Sequence, residues 1–138
     1  MDKTMNYLSL ARKAGKAELG EEPVGAAARS GKAYLILAAG NCSDHTWRRA
    51  KSYAAGTSQQ CVRLPHSKDD MGMATGRQEL SLAAITDASL ALALLQSLPE
   101  QGKYAEAIQA LTEKTQRLAQ RKKEAQAHKK NVAKGKKK

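Results

Sequence analysis

The chain has 138 residues, enough for one domain with an appendage, and carries 24 Lys and Arg against 13 Asp and Glu, a net charge of +11. Phe is absent and Trp47 is joined by only four Tyr, so Ala, Leu, Ile, Val and Met must fill the core. No apolar stretch approaches the roughly 18 residues of a membrane helix, and no signal-peptide apolar segment precedes Arg12-Lys13, so a cytoplasmic protein is expected.

In chain order, Met5, Leu8 and Ala11, with Leu10 and Ala14 less regularly, mark one side of a first helix. Asp2 or Thr4 would cap it and Gly15 would stop it. Ala17-Glu18-Leu19 leaves room for a short strand or an extended link, and Gly20 permits a turn. Pro23 suits the first helical position after Glu21-Glu22, and Val24, Ala27 and Ala28 form a small-residue buried side. Gly31 closes this second helix. Ala33 to Ala39 is then apolar at every position, which predicts a central strand covered on both faces.

Ser43 and Asp44 can accept backbone N–H bonds and start a third helix, with Trp47, Ala50 and Ala54 on one side and a stop near Gly56. Cys61 to Leu64 reads as a strand, and Ser67-Lys68-Asp69-Asp70 as a capping box with Asp in place of Glu, opening a short helix that Gly76 closes. Ser81 to Thr86 reads as another strand, followed by a helix capped by Asp87 and rich in Leu90, Leu92, Leu94 and Leu95. Pro99 and Gly102 break the chain. From Lys103 a last helix carries Ile108, Leu111, Thr115 and Leu118, and beyond about Gln120 it should be exposed and fray into disorder. Helices alternating with short strands predict a three-layer α/β/α sandwich over residues 1–98, with a C-terminal helix and a basic, partly disordered tail over 99–138.

The charge is concentrated in that tail. Residues 1–116 hold 14 Lys and Arg against 12 Asp and Glu, whereas residues 117–138 hold 10 against the single Glu124. Such a run attracts polyanions by releasing condensed counterions, without reading sequence. Cys42 and Cys61 form no CxxC, and His45, His66 and His128 lack metal-ligand spacing, so free thiols and no metal or cofactor are expected. There is no GxGxxG, P-loop or GxSxG. The Glu21-Glu22 pair is explained by the helix dipole, and Cys42 near His45 lacks a third orienting group. The expectation is a protein that is not an enzyme.

Four motifs carry a resemblance. Leu10-Ala11-Arg12-Lys13-Ala14-Gly15-Lys16 with Gly20 comes first, then Arg29-Ser30-Gly31-Lys32-Ala33 leading into Leu35-Ile36-Leu37-Ala38-Ala39. Ser67-Lys68-Asp69-Asp70-Met71-Gly72 and Ala84-Ile85-Thr86-Asp87 follow in the same order. Over about residues 4–98 this resembles the kink-turn RNA-binding ribosomal protein family (the seven-Ae type of the large subunit), and most of all its bacterial YlxQ-like branch. The resemblance implies an α/β/α sandwich that binds a sharply bent RNA loop. The RNA face would comprise the start of the second helix, the turn after the central strand and the loop before the last strand.

On this sequence the implied RNA-binding residues are Gly20, Glu22, Lys32, Gly40, Asn41, Arg77 and Gln78. The family signature at the helix start, Gly-x-Asn-Glu-x-Thr-Lys, is met only at Gly20. Glu22, Pro23, Gly25 and Ala26 replace its Asn, Glu, Thr and Lys, and Gly40-Asn41-Cys42-Ser43 replaces a more acidic turn. A lost charge-assisted contact costs about 1.5–3 kcal/mol, so the implied reader is weakened or redirected. The implied partners are structured RNA and ribosomal proteins, with a monomer when free. Two other classes fit the sequence: a protein-interaction module that kept the fold, and the substrate-binding part of an RNA-ribose methyltransferase acting with a partner subunit.

Overall fold

A computed structural model describes residues 1–136, with side chains placed through residue 129. Helix α1 (Lys3–Lys13) begins at Asp2, whose carboxylate accepts from the Met5 N–H at 3.0 Å. The same carboxylate meets His66 Nε2 at 2.6 Å. Partial burial opposes ionisation of Asp2, but the Met5 N–H and His66 together hold its pKa below the ordinary value. Met5, Leu8 and Ala11 are buried as the spacing predicts, whereas Leu10 and Ala14 are exposed. Leu10 stands five residues from Met5, well over a quarter turn off the buried stripe.

Strand β1 (Ala17–Leu19) leads through Gly20 into α2 (Glu21–Arg29). Pro23 therefore occupies the third helical position rather than the first, still within the turn whose N–H groups have no helical partner. Strand β2 (Leu35–Ala38) is fully buried and is shorter than the apolar run, although Ala33 and Ala39 are buried too. Burying each of Leu35, Ile36 and Leu37 contributes about 1.5–3 kcal/mol. In α3 (Asp44–Ala54) the cap is Ser43 alone, accepting from the Thr46 N–H, while Asp44 sits in the first turn. Strand β3 (Gln60–Arg63) precedes α4 (Lys68–Thr75), where the predicted capping box forms in both directions: Ser67 Oγ accepts from Asp70 N–H at 3.1 Å and Asp70 Oδ2 from Ser67 N–H at 3.0 Å. Gly76 ends α4 in the left-handed region at φ 75°. Strand β4 (Leu82–Ile85) and α5 (Ala88–Gln96), capped by Asp87, complete the pattern.

The sheet order is β1-β4-β2-β3. β2 and β3 are parallel, with Leu35 opposite Gln60 and Ala38 opposite Arg63. β4 runs antiparallel to both β2 and β1. Helices α2 and α3 cover one face, and α1, α4, α5 and the last helix cover the other, giving a three-layer α/β/α sandwich. A bond of 2.8 Å between the Thr4 and Ser97 hydroxyls ties α1 to α5.

A short 3-10 turn (Gln101–Tyr104) brings the chain into α6 (Ala105–Lys136). Tyr104, Ala107 and Leu111 are buried in the common core, so the core continues beyond residue 98. Past Gln120, where fraying is expected, α6 remains helical to Lys136 with every described side chain exposed. The tail residues 130–138 lie outside the described side chains. Among the described residues no helix is long and apolar enough to cross a membrane.

Candidate nucleic-acid interface

The strand pairing decides which loops meet. Leu19 lies opposite Ala83, and Leu82 opposite Ala38, which lies opposite Arg63. The end of β1, the end of β2, the end of β3 and the beginning of β4 are therefore together at one end of the sheet, here called the loop end. Gly20, Gly40, Asn41, Arg77 and Gln78 all belong to the segments that meet there.

Gly20 is the N-cap of α2 with φ 97° and ψ 162°, a conformation essentially reserved for glycine. It supplies no capping side chain, and Pro23 has no N–H, so the positive end of α2 is left without a side-chain cap. The Arg77 guanidinium lies over this point, since a Cβ on Gly20 would stand 3.5 Å from Arg77 Nη1. The turn that carries Arg77 is pressed onto α4. A Cβ on Gly72 would fall 2.7 Å from the Gln78 carbonyl oxygen and 2.8 Å from that of Arg77. The Arg77 N–H donates to Gly72 O at 2.8 Å and the Leu80 N–H to Lys68 O at 3.0 Å. The backbone is thus held while the Arg77 and Gln78 side chains remain exposed.

Arg12 is a residue that sequence reasoning passed over. Its guanidinium stands beside Gly76, with Nη2 3.6 Å from where a Cβ would be. Two guanidinium groups therefore flank the turn between α4 and β4. The available signal was its place in the Leu10-to-Lys16 motif, but nothing local says that it reaches that turn.

The other predicted residues take different places. Gly40 sits where β2 meets the β3–α4 connection, and a Cβ there would lie 2.5 Å from Leu64 O. Its N–H donates to His66 O at 2.7 Å. Asn41 is exposed, but its Oδ1 accepts the Lys68 N–H at 2.8 Å, joining the β2–α3 turn to the start of α4. Both are engaged within the protein. Glu22 is exposed on the first turn of α2. Its neighbour Glu21 accepts from Thr46 Oγ1 at 3.0 Å and from Arg49 Nη1 at 2.8 Å, tying α2 to α3. This ion pair is half exposed, so its own contribution is at most about 1 kcal/mol. Lys32 follows the far end of α2 and lies away from the loop end, roughly 13 Å along the helix from Gly20.

Two further features shape this face. Tyr53 of α3 packs over Gly25, where a Cβ would meet its hydroxyl at 3.0 Å, so the position at which the resemblance implies a threonine is covered. The Trp47 ring has Lys51 Nζ at 5.3 Å and Arg63 Cζ at 5.7 Å from its centroid. Arg63 Nη2 also donates to Cys42 O at 3.0 Å, bracing the β2–α3 turn from the edge strand. Cys42 itself is buried. Among the described residues no group of three His, Cys, Asp or Glu is placed to hold a metal.

No family model matches the chain, and no curated protein matches it. Solved structures do. A protein with unknown function from Bacillus halodurans matches with a TM-score of 0.67 at 22% identity, over 72% of this chain and 100% of that one. The Giardia lamblia 15.5kD RNA binding protein matches with a TM-score of 0.60 at 16% identity, over 75% of this chain and 85% of that one. The chain has the α/β/α fold of these two structures.

Proposed function

We propose that this chain is a non-enzymatic RNA-binding protein of the kink-turn ribosomal (seven-Ae) type, in its bacterial YlxQ-like branch, acting on structured RNA in the cytoplasm as a ribosome-associated monomer. The observation that carries this reading is the Arg77 guanidinium held over Gly20 at the uncapped start of α2. A guanidinium beside a helix start that no side chain caps is an arrangement that accepts a phosphate, against the opposing charge of Glu21 and Glu22 in the same turn, and an exposed Gln78 adds a group able to pair with a base edge. The fold supports it, being shared with a protein whose name states RNA binding. The net charge of +11 supports it as well.

A second reading, a protein-interaction module that kept the fold, is favoured by Tyr53 covering Gly25 and by the use of Asn41 within the protein. Titrating the full chain with a kink-turn RNA between 50 and 200 mM salt separates the two. RNA binding through several phosphates should lose about 0.7–0.9 decades of affinity per decade of salt for each phosphate contacted. Absence of RNA binding, or binding indifferent to salt, overturns the first reading in favour of the second.

A further inference from the structure

The RNA site proposed above lies at the loop end of the sheet, yet the net positive charge is concentrated in residues 117–138, with 10 Lys and Arg against Glu124. The course of α6 shows where. Immediately before it, the buried Tyr104 of the 3-10 turn donates its hydroxyl to Arg63 O at 3.4 Å, at the loop end. Two turns on, Leu111 lies in a groove with Tyr34 and Gln60, which flank the beginnings of β2 and β3. Thr115, Leu118 and Lys122 line the next groove with Thr86 and Asp87, just past the end of β4. The helix therefore crosses the sheet from the loop end to the opposite end and leaves the domain there.

Every described side chain from Ala119 to Lys129 is exposed, and beyond Lys122, the last residue lining the groove with Thr86 and Asp87, the described helix extends roughly 10 Å farther. This segment has no apolar stripe beyond Leu118 and carries Arg121, Lys122, Lys123 and Lys129 against Glu124. Arg121, Lys122 and Lys123 project in three directions, 100° apart. Charge spread around a helix fits a groove with phosphates on both walls better than a flat surface. Lys32 belongs to this end: its neighbour Gly31 lines the same groove as Lys114 and Arg117 of α6.

We propose that the chain has two RNA-contacting ends and joins two separate RNA segments. A bent RNA would sit at the Gly20–Arg77 end, and a duplex segment would receive α6 between Arg117 and Lys129. The inference rests on the RNA-binding reading of the loop end. A domain of this size spans on the order of 30 Å, so an RNA seated on Arg77 would have to fold back over the whole domain to reach the free part of α6.

The test uses the full chain with two non-complementary RNAs, a donor-labelled kink-turn RNA and an acceptor-labelled straight duplex. Energy transfer should rise as protein is added and fall again once protein exceeds RNA, because separate copies then occupy each RNA. The full-length variant Arg117→Gln, Arg121→Gln, Lys122→Gln, Lys123→Gln should keep kink-turn RNA binding within about 3-fold and lose at least 10-fold in duplex affinity, and transfer with it. Arg77→Ala should do the reverse, retaining the duplex and losing the kink-turn RNA. Kink-turn binding without transfer, or transfer that survives the fourfold variant, would overturn the bridge and leave the loop-end reading standing. Binding to neither RNA would overturn both.

Discussion

Arg77 stands over Gly20: a side-chain carbon on Gly20 would lie 3.5 Å from the Arg77 Nη1. The two residues come from different strand–helix connections and meet because β1 and β4 pair with Leu19 opposite Ala83. Their juxtaposition puts an exposed guanidinium on a backbone that is tied down at Gly72 and Lys68.

Changing Arg77 and Gln78 together to Ala should leave stability within about 0.5 kcal/mol, because both side chains are exposed. RNA affinity should fall by about 1–3 kcal/mol if either makes a good base contact. Denaturant unfolding beside RNA titration reads both quantities. Equal losses in the two would make the pair structural.

The triple change Glu22→Asn, Pro23→Glu, Ala26→Lys places family-type side chains at three exposed positions of α2. It should strengthen binding to a kink-turn RNA by at least 10-fold while barely affecting a straight duplex, since a specific contact distinguishes the two and added charge does not. Equal gains on both would show that only charge had been added, and the specific surface would have to be abandoned. Gly25→Thr is left out because Tyr53 occupies that space.

Gly40 and Asn41 should behave as structural residues. Gly40→Ala forces a carbon to within 2.5 Å of a backbone oxygen, so Leu64 must move, at a cost of about 1–3 kcal/mol. Asn41→Ala removes the acceptor for the Lys68 N–H, worth about 0.5–1.5 kcal/mol. Urea unfolding measures both. A variant that lost RNA affinity at unchanged stability would restore these residues to the binding surface.

Burial pushes the Cys61 thiol up to about 12, against a smaller opposing effect of Lys51. The native thiol should therefore react with a thiol reagent far more slowly than the unfolded chain at pH 8. For linkage, the unfolded thiol (ordinary value 9.0) ionises first, so between pH 9 and 12 the unfolded state holds fewer protons and stability falls as pH rises. Replacing Cys61 by Ser should flatten this alkaline slope; an unchanged slope would mean that another group causes it.

What the sequence determined by itself was local. The caps at Asp2, Ser43, Ser67 and Asp87 and the stops at Gly15, Gly31 and Gly76 follow from which side chains can satisfy a helix end and which residue tolerates positive φ. The order of elements and the α/β/α layering follow from them, because an all-apolar strand needs a helix on each face. The sheet order β1-β4-β2-β3 and its mixed directions were decided only by tertiary packing. So were the meeting of Arg77 with Gly20, the diversion of Asn41 into a bond with Lys68, and the filling of the space over Gly25 by Tyr53. Lys32 shows the limit most clearly. It belongs to the same motif series as Gly20, but a nine-residue helix carries it to the opposite end of the molecule, beside α6. Which residues share a surface depends on strand pairing and on the direction in which each helix crosses the sheet, and neither is written in local propensity.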